Sequence, residues 1–315
     1  MNKFTHTDAN TVDAAVSALG PNAAVLAGGT DLLPKLKGMI SPNPPEVLVN
    51  IKNISGLDYI KEEGGMLKIG ALAKLTDIYE SAIVQASYAA LAEAAHNVGT
   101  PELRNMGTIA GNICQYVRCW YYRTEHNFFN CLRKNPSGLC QALLGDNRYH
   151  SIFGAMNGCV AVNPSDVAPA LIVLDASVVT SERTIAIEDF FTMDGEKTTV
   201  LGDNEVVTEI QVPTPASGTK SAFVKFALRK SFDFPIVNCA AAISSTAAKI
   251  CLNGVYNVPR RATEAEDAIA GQTINEANAE AAGEAAVADA SALPNNKYMI
   301  QIAKVMIKKA ILACA

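Results

Sequence analysis

The sequence lacks any charge-free run of 18 residues, and its longest uncharged stretches, such as Tyr149–Ser165, carry Gly and Pro. A membrane-spanning helix is thereby excluded. It also lacks positive excess: 26 Lys plus Arg stand against 31 Asp plus Glu, for a net charge of −5. Without a basic field to hold a phosphate backbone, nucleic acid is not an expected partner. Met1–Asn10 has no basic stretch followed by an apolar one, so no secretory leader is read and a cytoplasmic location is expected. Cysteines number 8 in 315 residues, too few for a disulfide scaffold. In a reducing compartment, clustered thiols more often hold metal or carry redox chemistry.

What is present is a globular composition, 49% hydrophobic and 18% charged, in a chain long enough for two domains at roughly 150 residues each. The opening segment alternates helix Thr11–Leu19, strand Ala23–Ala27, helix Asp31–Met39 and strand Val47–Ile51, an α/β unit with parallel pairing. A second unit begins near residue 56, with strand Met66–Ile69, helices Leu75–Ser81 and Ala86–Asn97, and β-rich patterns at Thr184–Ile187 and Glu205–Val212. Pro213–Lys220 has the composition of a linker. Beyond it come strands Ala222–Ala227, Val237–Ser244 and Ile250–Tyr256, and helices Thr263–Ala270 and Lys297–Ala313. Glu276–Ala292, nearly all Ala, Glu, Asp and Asn, reads as a solvated helix or loop. The expected division is 1–212, with parts at about 1–55 and 56–212 and an insertion at about 115–162, followed by 213–315.

Two glycine turns carry chemistry. Val25-Leu26-Ala27-Gly28-Gly29-Thr30-Asp31-Leu32 runs from strand through paired glycines into a helix, and Gly107-Thr108-Ile109-Ala110-Gly111-Asn112 sets small polar side chains between glycines. Glycines let a backbone approach a ligand closely, and free N–H groups at such turns favour phosphate. Neither turn is the G-x-G-x-x-G fingerprint of a nicotinamide Rossmann unit, so a different nucleotide fold is expected.

These turns, with Ile69-Gly70-Ala71 and Pro164-Ser165-Asp166-Val167-Ala168-Pro169-Ala170-Leu171, resemble the flavin subunit of the molybdenum hydroxylases. That family includes the medium subunit of aerobic carbon monoxide dehydrogenase and the flavin domain of xanthine dehydrogenase. The resemblance continues through Lys225-Phe226-Ala227-Leu228-Arg229-Lys230 and Pro259-Arg260-Arg261-Ala262-Thr263. It implies an α+β fold: a two-part α/β FAD-binding domain followed by a smaller C-terminal domain of antiparallel sheet plus helices. It also implies FAD held noncovalently by Leu26, Ala27, Gly28, Gly29, Thr30, Asp31, Leu32, Thr108, Gly111, Asn112, Asp166, Val207 and Lys225. Asp166 would accept hydrogen bonds from cofactor hydroxyls, and Lys225 would favour the anionic reduced flavin, although an ordinary strand lysine is an equal reading of Lys225. Ala110 stands where relatives usually have Gly.

Between Ile113 and Pro164 lies an insertion containing Cys119, Cys131, Cys140 and Cys159, at gaps of 12, 9 and 19 positions. It resembles the extra loop of the flavin subunit of 4-hydroxybenzoyl-CoA reductase, which implies a 4Fe-4S cluster on those four thiolates. Soft sulfur ligands suit such a centre. Structural zinc is the rival, though it usually draws on closely spaced pairs, absent here. Cys114 is an alternative fourth ligand and is better read as a small buried residue. His126 and His150 read as polar surface or capping residues, Trp120, Tyr121 and Tyr122 as shielding for the cluster or as core, and Cys239, Cys251 and Cys314 as inert and buried.

The implied function is an electron-transfer subunit of an oxidoreductase, with no catalytic residue of its own. It would connect FAD and the 4Fe-4S cluster to a 2Fe-2S small subunit, and through that to a molybdenum-cofactor large subunit where substrate reacts, with ferredoxin or a similar one-electron carrier outside. A dimer of heterotrimers is the implied assembly. Competing readings are an FAD subunit with structural zinc that passes electrons to NAD, and a cofactor-free scaffold.

Overall fold

The computed structural model describes residues 1–315. Thr11 accepts the Ala14 N–H at 3.1 Å and so caps the helix Val12–Ala18. The chain then runs through strand Ala23–Leu26, helix Leu32–Lys37 and strand Val47–Asn50. A strand not anticipated from the sequence, Thr5–Asp8, adds parallel to Val47–Asn50, which becomes the middle of a three-stranded sheet. Its residues, Thr-His-Thr-Asp, are mostly exposed, so no hydrophobic alternation marks it. Parallel pairing follows from the helical crossovers between strands.

The second sheet has five strands, all antiparallel: Ile60–Glu63, Met66–Gly70, Val207–Pro213, Ser177–Thr180 and Thr184–Ala186. The Ala-rich helix Ala89–His96 buries Ala90, Leu91, Ala94 and Ala95 in the main core. Helix Val167–Val173 is buried at every residue, because it packs between Ala89–His96 and two C-terminal strands. The first glycine turn joins strand Ala23–Leu26 to helix Leu32–Lys37, whereas the second turn and the insertion lie on the segment that leaves the five-stranded sheet after Gly70 and rejoins it at Ser177. The insertion itself forms only two short 3-10 turns, Glu125–Asn127 and Gln141–Leu143. It rests on the hairpin Phe191–Asp194 with Lys197–Thr199, to which Asn157 donates at the Met193 carbonyl.

The C-terminal part is an antiparallel sheet ordered Lys220–Phe226, Val237–Ile243, Ala248–Asn253, Arg260–Arg261, covered by helices Thr263–Ile269, Glu276–Ala285 and Tyr298–Leu312. The solvated reading of Glu276–Ala292 needs correction. Helix Glu276–Ala285 buries Ala279, Ala282 and Gly283, and a Cβ on Gly283 would come within 2.6 Å of the Lys304 carbonyl oxygen. Small residues hid this face because close helix contact needs little apolar bulk. Phe223, Ala240, Ala242 and Cys251 share one core with Ile69 and Leu91, so the C-terminal sheet closes the core of the preceding part. Two hydrogen bonds reinforce that seam, Ala90 N–H to Ser221 Oγ at 3.2 Å and Phe223 N–H to Glu93 Oε2 at 2.7 Å. No helix is long and apolar enough to cross a membrane.

Candidate functional site

A cleft of about 790 Å³ runs between the opening unit, the second unit and the C-terminal sheet. Ala27, Gly28, Gly29, Thr30, Asp31, Leu32, Thr108, Gly111, Asn112, Asp166, Val207 and Lys225 all line it. Leu26 does not: it is buried, with its Cδ1 packed behind Gly29. Gly29 has φ +73°, a conformation that glycine adopts without strain. At Gly28 any Cβ would collide with the Met106 carbonyl oxygen, so the two glycine turns approach each other only because this residue has no side chain.

The backbone N–H groups of Gly28, Gly29 and Thr30 find no acceptor within the protein. In the second turn, Thr108 Oγ1 accepts the Gly111 N–H at 3.1 Å and caps the helix Ile109–Ile113. Clustered, unpaired N–H groups form an anion-binding concavity that needs no basic side chain. The Asn112 side chain is fixed from behind, accepting from Ser165 Oγ at 2.6 Å.

Asp166 and Lys225 face each other across the cleft floor at 2.6 Å, both almost fully buried. Asn238 donates to the other Asp166 oxygen at 2.7 Å, and Lys225 also donates to the Asn97 carbonyl at 2.8 Å. Burial pushes the Asp166 carboxyl above its usual range, while Lys225 and Asn238 pull against it. Lys225 therefore enters the cleft wall as half of an ion pair, with its charge compensated.

The sequence reading ended the cleft residues at Asn112 and resumed them at Asp166, yet the insertion supplies part of the wall through Gln115, Tyr116, Arg118 and Arg123. Asp31 holds them. Its carboxylate lies 2.9 Å from both Arg118 and Arg123 and accepts the Tyr116 N–H at 2.9 Å. Burial would push this carboxyl up, but the two arginines outweigh it and hold it below its usual value. Arg118 also stacks on Phe234, 4.1 Å from the ring centroid, linking insertion and C-terminal part at the cleft. Two arginines flanking Cys119 were the available signal, but no spacing rule connects them to an acid at position 31.

The four insertion cysteines come together beside this wall. Cys131 and Cys159 are buried in a small core with Val117 and Tyr122, and Cys119 packs against it. Burial pushes the Cys119 thiol up to about 12, raised further by Cys159 and Cys131, while the Tyr122 and Tyr121 N–H groups oppose it. Burial also raises Cys140, which senses Cys159 and takes backbone donors from Val160, Ala142 and Leu143. No three His, Cys, Asp or Glu side chains converge on a point that one metal ion could occupy. Cys114 stands apart, at the cleft, where burial alone pushes it to about 12.

Around these thiols the polar groups are underused. Arg133 is 2% exposed, its Nη1 lies 3.9 Å from Cys159 Sγ, and its Nε has no partner. Lys134 Nζ is buried without a partner. His150, read from sequence as a surface or capping residue, is instead buried with Nε2 3.2 Å from Cys119 Sγ, and burial lowers its imidazole to about 4. His126 is exposed. Trp120 covers His150 edge-on at 5.7 Å between ring centroids, and Tyr122 is core, donating to Glu196 at 2.7 Å. Cys239, Cys251 and Cys314 are buried in the apolar cores.

Two family profiles match the chain: the FAD binding domain in molybdopterin dehydrogenase over residues 2–215, and the CO dehydrogenase flavoprotein C-terminal domain over residues 222–314. The aldehyde oxidoreductase FAD-binding subunit of Escherichia coli is 34% identical over 316 residues, 96% of each chain. The carbon monoxide dehydrogenase medium chain of Hydrogenophaga pseudoflava is 30% identical over 280 residues, 87% of this chain and 82% of that relative. A solved carbon monoxide dehydrogenase from Hydrogenophaga pseudoflava, lacking the Mo-pyranopterin moiety, superposes with a TM-score of 0.76 at 28% identity, covering 99% of this chain and 97% of that one.

Proposed function

Because this chain belongs to the FAD-binding medium subunits of the molybdenum hydroxylase family, we propose that it relays electrons between FAD, a 4Fe-4S cluster and a 2Fe-2S partner subunit. Substrate would react on a molybdenum-cofactor large subunit, and ferredoxin or a similar one-electron carrier would meet this chain from outside. We assign cofactor binding to residues 1–212 and the closing domain to 213–315.

The observation that carries the flavin assignment is the row of acceptorless N–H groups at Gly28, Gly29 and Thr30 facing a cleft of matching scale. The fit is good: the donors are fixed by the fold, and the space beside Gly28 is closed to any Cβ. Flavin supplies two-electron redox chemistry that can be released one electron at a time. Gly28, Gly29, Thr30 and Thr108 would hold the diphosphate. Asn112, braced by Ser165, and the Asp166–Lys225 pair would fix the polar edges of the ligand. Arg118 on Phe234 would limit water at the cleft.

For the insertion, the fit rests on donor chemistry and orphaned cations. Cys119, Cys131, Cys140 and Cys159 are electrostatic neighbours, and burial raises the thiols of Cys119, Cys131 and Cys140, whose charged form a bound metal would favour. Arg133 Nε and Lys134 Nζ lack partners beside them, as suits a site that receives an anionic group. A thiolate-held iron–sulfur cluster supplies one-electron transfer. The insertion's likeness to that of 4-hydroxybenzoyl-CoA reductase supports the same assignment.

The test is anaerobic purification of the complex, with FAD released by denaturation and with iron, acid-labile sulfide and zinc measured per chain. FAD with four irons and four sulfides is expected. Zinc without iron would replace the cluster by a structural ion, and a preparation without flavin would reduce the chain to a scaffold.

A further inference from the structure

Arg133 has no carboxylate partner. The side chain is 2% exposed, and its polar contacts are the Lys197 carbonyl at 2.9 Å and Cys159 Sγ at 3.9 Å, with Nε unpaired. Lys134 next to it has a buried, partnerless Nζ, 5.1 Å from the Tyr122 ring centroid. Glu196, a carboxylate within electrostatic reach of Lys134, is already matched by Lys35 at 2.8 Å and held by Tyr122 at 2.7 Å. A buried cation without a counter-charge is strongly unfavourable, and the anions available here are the four cysteine sulfurs once they carry metal.

We infer that Arg133, assisted by Lys134, raises the reduction potential of the centre held by Cys119, Cys131, Cys140 and Cys159. The inference rests on the cluster assignment above. Reduction adds one electron from the flavin or from an external one-electron carrier. No ligand bond forms or breaks and no proton is taken up, so the site becomes more negative by one charge. A fixed guanidinium beside Cys159 stabilises the more negative state more than the less negative one, at low local dielectric and with little screening by salt. Hydrogen bonds and charge around the sulfurs are general determinants of such potentials. The arginine also selects the oxidation state in which electrons wait between carriers.

The experiment is a redox titration of the intact complex, read by paramagnetic resonance, for the wild type, Arg133→Gln, Arg133→Lys and Lys134→Gln. At a fixed ambient potential, Arg133→Gln should shift the oxidised-to-reduced ratio about tenfold toward oxidised, about 59 mV for a one-electron couple. Arg133→Lys should retain most of the wild-type value, and the flavin midpoint should stay in place. Equal midpoints in wild type and Arg133→Gln, with equal iron and sulfide, would overturn the inference and leave the cluster standing. Should Arg133→Gln fail to load iron, Lys134→Gln decides: a shift in the same direction supports the inference, and none overturns it. A wild type without iron would remove the cluster assignment itself.

Discussion

The backbone N–H of Tyr116 donates to the Asp31 carboxylate at 2.9 Å, fastening the start of the insertion to the glycine turn that lines the cleft. With Arg118 and Arg123 on the same carboxylate, Asp31 is the tie between the two proposed cofactor regions. Asp31→Asn should cost about 3 kcal/mol in denaturant unfolding, at the lower end for breaking a buried pair because the side chain keeps some solvent contact. FAD affinity should weaken with it.

The same residue sets an acid dependence. Its folded pKa lies below the ordinary 3.8, so the ionised form contributes stability that is fully present above that value and is lost as pH falls through the folded value. The stability gap between wild type and Asp31→Asn should therefore be constant near neutrality and narrow below about pH 4. Unfolding curves across that range would show it, and a gap that widens in acid would contradict the pairing.

Gly28→Ala should separate the two glycine turns, because the new methyl meets the Met106 carbonyl, which is backbone and cannot swing aside. Purified protein should contain less than a tenth of the wild-type FAD and melt at lower temperature. Full flavin content would mean that the turns need not touch.

Cys131→Ser should lose the iron signal while keeping FAD, since Cys131 lies in the small core of the insertion and outside the cleft wall. Cys114→Ser, at the cleft and away from the other thiols, should keep its iron. Iron analysis with visible spectra of both variants checks the pair. Loss of flavin from Cys131→Ser would show that the insertion must be loaded before Gln115, Tyr116, Arg118 and Arg123 can form their part of the wall.

Removing one member of the Asp166–Lys225 pair strands a buried charge. Lys225→Met should destabilise the protein by about 3–5 kcal/mol, and adding Asp166→Asn should recover part of the loss. A double-mutant cycle by chemical denaturation gives the coupling directly. Near-zero coupling would show that the two residues act on the ligand separately.

Much of the fold was legible because hydrophobic period and glycine punctuation agree. Ala23–Leu26, Val47–Asn50, Met66–Gly70, Val237–Ile243 and Tyr298–Leu312 lie where their patterns place them. Thr5–Asp8 escaped because an edge strand with exposed side chains carries no alternation. The buried face of Glu276–Ala285 escaped because Ala and Gly mark close packing without raising hydrophobicity. In the cleft, local motifs located both turns and Asp166. The contributions of Arg118 and Arg123 depend on an ion pair about ninety positions away, which no local pattern encodes. His150 was misjudged for the same reason: its neighbour Cys119 lies 31 residues off.

Phe223, Ala240 and Ala242 reach back into the core built by Ile69 and Leu91, and Ser221 and Glu93 stitch the same seam. A fragment cut at residue 215 would thus be left with an open apolar wound rather than a finished module. Anyone grafting a C-terminal half from a relative would have to carry the outer face of helix Ala89–His96 along with it.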